Sequence, residues 1–158
     1  MRNDLPIDDT DRAILRHLQA DGRLPNAALA ERVRLSPSPC LRRLKRLEED
    51  GTIRGYRAIL DRRKIGLGLT AFVEIKVSGQ SRRRAEELER AMAKIDEIVA
   101  CYIVAGDADF MLEVVVPDLA AYERLLLHTL LELPGVSDVR SNFAIRTVKE
   151  PGPLPLAR

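Results

Sequence analysis

The chain has 158 residues, 46% of them hydrophobic and 32% charged, with a formal net charge of +2. That length allows one ordinary domain or two small ones, and the balance excludes an intrinsically disordered chain. No apolar run approaches the roughly 20 residues that span a bilayer, and MRNDLPIDDTDR lacks the apolar core of a signal peptide, so a cytoplasmic protein without a membrane partner is expected.

The small net charge hides an asymmetry. Residues 1–60 carry 12 Lys and Arg against 9 Asp and Glu, whereas residues 61–158 carry 14 against 15. A basic first third is consistent with a polyanion partner, although charge runs more often form a solvated face. Cys40 and Cys101 both sit in apolar patterns and are expected to be buried free thiols rather than a disulfide.

In chain order, Asp8 to Ala20 reads as a helix. Two aspartates favour its positive end, Ile14, Leu15 and Leu18 form its apolar side, and Gly22 ends it. Pro25–Asn26 opens a shorter helix with Leu29, Ala30 and Val33 inward. Ser36 is then an N-cap, Pro37 suits the first helical position, and Gly51 stops a third helix. Cys40, Leu41, Leu44 and Leu47 make its apolar stripe, with Arg42, Arg43, Lys45 and Arg46 facing away. Three helices with so tight a turn between the last two form a helix-turn-helix, whose last helix reads a DNA major groove. Residues 52–60 are β-rich and predict a wing strand, with Arg54 and Arg57 against phosphate.

Asp8-x-x-Asp11-x-x-Ile14-Leu15, Leu29-Ala30-Glu31-Arg32-Val33 and Leu35-Ser36-Pro37-Ser38-Pro39-Cys40-Leu41-Arg42-Arg43-Leu44-x-x-Leu47-Glu48-x-x-Gly51-x-Ile53-x-Gly55-Tyr56 together resemble the Lrp/AsnC (feast/famine, leucine-responsive regulatory protein) family in order and spacing. The resemblance implies a transcriptional regulator whose partner is double-stranded DNA. The expected DNA surface is Ser36, Ser38, Pro39, Arg42, Arg43, Arg46, Arg54 and Arg57.

Residues 61–68, DRRKIGLG, read as a linker between a domain at 1–60 and another at 69–150. From Leu69 the pattern alternates, with Leu69, Ala71, Val73, Ile75 and Val77 on one strand face. A helix over 82–94, strands over 98–104 and 110–116, a helix from Pro117–Asp118 with Leu119, Tyr122, Leu126 and Leu130 inward, and a strand over 136–148 with Val139, Phe143 and Ile145 on one face complete the order. Two split βαβ units of this kind give an α+β fold, a ferredoxin-like βαββαβ sandwich with both helices on one sheet face. Phe72 points away from the stripe, and an uncovered apolar face argues for self-association. The resemblance implies a RAM domain that dimerises sheet to sheet, with dimers assembling to octamers or hexadecamers. Residues 151–158, with three prolines, read as a loose tail.

No catalytic set is evident. His17 and His128 have no partners at metal-ligand spacing, and neither a phosphate loop nor a nucleophile elbow occurs, so no metal or cofactor is expected. Gly106, Asp107 and Asp109 lie in Ala105-Gly106-Asp107-Ala108-Asp109-Phe110, the composition of an ordinary hairpin turn. Two carboxylates at such a tip can also accept an ammonium group while backbone N–H groups hold a carboxylate, the two fixed ends of a free amino acid. The resemblance supports an amino-acid effector here, with Val139 and Ser141 as the matching positions on the final strand. Ala108 stands where the family often has an aromatic and Phe110 where it often has tyrosine, which leaves the effector's identity open. The regulator is expected to be cytoplasmic and nucleoid-associated; rival readings are an architectural DNA-compacting protein with no effector, and an enzyme using Asp107 or Asp109 as acid or base.

Overall fold

The structure is a computed structural model that describes residues 7–79 and 82–156. They divide into two compact units, Met1–Ile59 with Lys149–Arg158, and Leu60–Val148.

In the first unit, α1 (Asp9–Ala20), α2 (Asn26–Arg32) and α3 (Pro37–Glu49) form the helix-turn-helix. A capping box starts α1: the Asp11 N–H donates to the Asp8 carboxylate at 2.8 Å, and the Asp8 N–H donates to Asp11 at 3.2 Å. Ile14, Leu15, Leu29, Ala30, Cys40 and Leu47 make the core, with Leu18, Val33, Leu35, Leu44 and Ile53 packed around it. Each fully buried aliphatic side chain contributes about 1.5–3 kcal/mol.

The turn between α2 and α3 contains Arg34 at φ 57°. A side chain in the left-handed region costs about 1–2 kcal/mol, which glycine avoids at some entropic cost in the unfolded chain. Arg34→Gly is therefore expected to stabilise the unit by about 0.5–1 kcal/mol. The check is a raised urea midpoint at constant m-value.

Two expectations for this unit are corrected. Leu41 is exposed rather than part of the apolar stripe. Residues 52–60 form no strand; Ile53 and Tyr56 are tied back to α3 instead. The Ile53 N–H donates to the Leu47 carbonyl at 2.7 Å, and the Tyr56 hydroxyl donates to Glu48 at 2.9 Å. A Cβ at Gly22 would lie 3.3 Å from the Tyr56 ring, so the glycine that follows α1 makes room for it. Partial burial, with the Glu48 carboxylate second, pushes the Tyr56 phenol up to about 12. The wing is thus an extended segment without ladder partners among the described residues.

The described part of the tail, residues 151–156, is also not loose; the last two residues lie outside the described residues. The Leu154 N–H donates to Gln19 Oε1, the Gln19 amide donates back to the Leu154 carbonyl at 3.2 Å, and Leu156 packs on the first unit's core.

The second unit has β1 (Leu69–Val77), α4 (Arg82–Met92), β2 (Ile98–Ile103), β3 (Phe110–Val116), α5 (Leu119–Leu125) continuing into a π-helical turn (Leu126–Leu130), and β4 (Val136–Phe143). The sheet is antiparallel in the order β2-β3-β1-β4, the ferredoxin-like arrangement. Alternate residues Ala71, Val73 and Ile75 of β1, with Phe110, Leu112, Val114 and Val116 of β3, meet Leu88 and Met92 of α4 and Tyr122, Leu125 and Leu130 of the second helical segment.

Residues 61–68 are a turn of this unit rather than a free linker. Arg62 pairs with Glu113 at 2.9 Å and donates to the Thr70 hydroxyl at 3.2 Å. The Gly68 N–H donates to the Pro117 carbonyl, and a Cβ there would lie 2.9 Å from that oxygen, so only glycine allows the approach.

β4 stops at Phe143, which leaves Ile145 exposed, and Leu119 is exposed at the first turn of α5. Cys101 is exposed rather than buried, on the edge strand β2. Partial burial, then the nearby Glu89, raises its thiol pKa, and burial alone raises that of Cys40, so neither is an activated thiolate. On the face away from the helices, Phe72 is 43% exposed, and Tyr102 shares that face through the rung Tyr102–Met111–Glu74.

Candidate nucleic-acid interface and effector site

Ser36 occupies the N-cap of α3 but makes no side-chain cap bond. An N-cap hydroxyl ordinarily accepts from the second or third helical N–H, and the third residue here is Pro39, which has none. Pro37 removes the first donor as well. The hydroxyls of Ser36 and Ser38 and the Ser38 N–H therefore stand unspent at the positive end of a helix, an arrangement suited to a phosphate oxygen. Pro39 is half-buried beside them.

The arginines of α3 divide into two groups. Arg43 donates to Asp8 at 2.6 Å and to Asp11 at 2.9 Å, and Arg46 pairs with the other oxygen of Asp11. Asp11 has no solvent exposure, while the two arginine side chains are 31% and 33% exposed. The pairs raise the Arg43 pKa, through Asp8 first and Asp11 second. The Asp11 N–H, then the Arg43 guanidinium, lowers that of Asp8. Arg43 and Arg46, both on the expected DNA surface, also clasp α3 to the start of α1 while lining the groove along α3. Arg42 is exposed with no ion pair among the described residues, and Ser38, Leu41, Lys45 and Glu49 line the same shallow groove. Lys45, absent from the expected DNA surface, is exposed on the same groove. Arg54 and Arg57 are exposed on the segment after α3.

In the second unit, β2 and β3 are joined at 104–109, where the Val104 N–H donates to the Asp109 carbonyl at 3.0 Å. Gly106 takes φ 133°, which favours glycine, and Asp107 is exposed at the tip. Asp109 is tied into the sheet: its N–H donates to the Ile75 carbonyl, and its carboxylate accepts the Val77 N–H at 2.8 Å. Val139 pairs with Ile75 from the other side, so the hairpin and β4 flank the same end of β1. Ser141 lies two residues along, its hydroxyl 2.5 Å from that of Tyr122, whose ring meets Phe143 edge-on at 5.1 Å. Gly106, Asp107, Asp109 and Val139 are thus brought to one end of the sheet, while Ser141 lies opposite Val73 at the middle of β1. Asp109 and Ser141 are already engaged within the chain, which leaves Asp107 as the open carboxylate. Phe110 is buried in the core, so its missing hydroxyl is not at the hairpin tip. Among the described residues no cluster of three or more His, Cys, Asp or Glu side chains is placed to hold a metal.

Residues 7–54 match a family model for winged helix-turn-helix DNA-binding, and residues 70–154 match one for the Lrp/AsnC ligand binding domain. The leucine-responsive regulatory protein of Escherichia coli is 44% identical over 144 residues, covering 91% of this chain and 88% of its own. A transcriptional regulator of Neisseria meningitidis, solved as its L-Met complex, superposes with a TM-score of 0.90 at 39% identity, covering 95% of this chain and 97% of that one. An AsnC family transcriptional regulator of Agrobacterium tumefaciens gives 0.89 at 39% identity over 94% and 96%.

Proposed function

Because the chain belongs to the Lrp/AsnC family of transcriptional regulators, we propose that it binds double-stranded DNA sequence-specifically through α3 and responds to an amino acid held at the 104–109 end of its sheet. The observation that carries the DNA half is the unspent helix N-terminus, with Ser36, Ser38 and the free Arg42 on the accessible side of α3. The effector half is supported by the exposed Asp107 carboxylate on the hairpin at the end of the sheet where Val139 pairs with Ile75, and by the L-Met bound to the Neisseria regulator. The apolar Phe72 and Tyr102 surface supports sheet-to-sheet dimers, which assemble further to octamers in the cytoplasm and on the nucleoid. An effector acts here by favouring one assembly over another, since a ligand with equal affinity for both shifts nothing.

The test is calorimetry of the wild type and Asp107→Ala with L-methionine and then the other common amino acids, beside sedimentation with and without the ligand. Binding by the wild type and a loss of at least about tenfold in the variant are expected, about 1.4 kcal/mol for one charged hydrogen bond. If the wild type binds none, the effector reading is lost. The alternative is an architectural DNA-compacting protein, favoured by the internal engagement of Ser141 and Asp109. Footprints indifferent to sequence would select it.

A further inference from the structure

On a helix with 3.6 residues per turn, Ser38, Leu41, Arg42, Lys45 and Glu49 fall within an arc of about 100°, turned away from Cys40, Leu44 and Leu47, with Leu41 at the edge nearer the core. All five side chains are exposed and line one groove, whose wall Arg43 and Arg46 complete. Arg43 and Arg46 lie on the flank that faces α1, each held by carboxylates. The outermost stripe therefore carries one hydroxyl, two cations, one carboxylate and a single apolar group, Leu41, 41% exposed.

We propose that Leu41 is a specificity-determining residue of α3 that reads the C5-methyl group of a thymine in the major groove, beside Arg42 as the base-reading cation; this rests on the DNA-binding reading above. Leu41 sits little more than one turn from the start of α3, where a recognition helix meets base edges. Thymine alone presents a methyl group in that groove, and an aliphatic side chain is the group that detects it. Its neighbours on the stripe are charged or hydroxylic, so none of them supplies that contact. Arg43 and Arg46 are positioning residues, fixing the angle at which the stripe is presented.

The full chain is used to select binding sites from random duplexes. Each thymine of the selected site is then replaced by deoxyuridine, which removes only the methyl group. The wild type is expected to lose about fourfold per half-site at one thymine, the factor for one buried methylene-sized group. Leu41→Ala should bind thymine and uracil versions equally, while Arg43→Ala keeps the wild-type ratio and loses affinity for every sequence alike. Wild-type indifference to every such replacement, or full discrimination by Leu41→Ala, overturns the assignment. So does a smaller DNA-free assembly of Leu41→Ala in sedimentation, which would place Leu41 against a second copy. Failure of the wild type to select any sequence is a separate outcome: it removes the regulator reading and this inference with it.

Discussion

Asp11→Ala is expected to destabilise the first unit by about 2–3 kcal/mol, at or below the low end for breaking a buried ion pair. The carboxylate has no exposure and serves two guanidinium groups, so its removal strands Arg43 with Asp8 alone and leaves Arg46 without a partner. Screening at the arginines, each about one-third exposed, keeps the cost below that of a fully buried triad. Urea denaturation reads the loss, and a change under about 0.5 kcal/mol would mean the clasp adds nothing. DNA affinity should fall for all sequences together, because the helix that presents the reading side chains is no longer held.

The Asp8 arm of the clasp carries a pH dependence. Its carboxyl is held below the ordinary value by the Asp11 N–H and then by Arg43. Its contribution is present in full above the unfolded value of about 3.9 and is lost as pH falls through the depressed folded value. Asp8→Asn should flatten the acid arm of the stability profile.

Leu112→Ala is expected to cost about 2–5 kcal/mol, the range for removing a large buried aliphatic side chain. Leu112 has no exposure and lies on β3 between Val73 of β1 and Cys101 of β2, beneath the helices. The cavity would fall in the sheet that places Asp107 and Val139. Hydrogen exchange on the full chain localises the effect: amides of β1–β3 lose protection while those of α1–α3 do not. Equal loss in both sets would show that the two units unfold as one.

Periodicity made most of the fold legible. The stripes of α1, α3 and β1 are local patterns, and the change of period at Leu69 marks where the sheet begins. What stayed hidden was mostly partnership between distant residues. Nothing near Arg43 or Arg46 in sequence reveals a carboxylate 32 or 35 positions earlier, so both read as free cations. Leu41 was misplaced because it adjoins Cys40, and a step of one residue turns a helix by about 100°, enough to leave the core face. Leu41 also lies three residues before Leu44, an ordinary core spacing, so spacing alone places it in the stripe. The segment after Gly51 has strand composition, but a strand also needs a neighbour, and Ile53 and Tyr56 spend themselves on the helices. At the hairpin, the turn chemistry of Gly106–Asp107 was readable. That Asp109 would bind its own sheet was not.

The return of residues 149–156 to the first unit makes that unit discontinuous along the chain. Synthesis therefore delivers the three helices first, then the whole sheet domain, and only afterwards the segment that joins Gln19 and covers the helical core. Domains generally fold as they emerge. Here the reading head is assembled early but sealed late, so a nascent or interrupted chain would carry α1–α3 without their final contact.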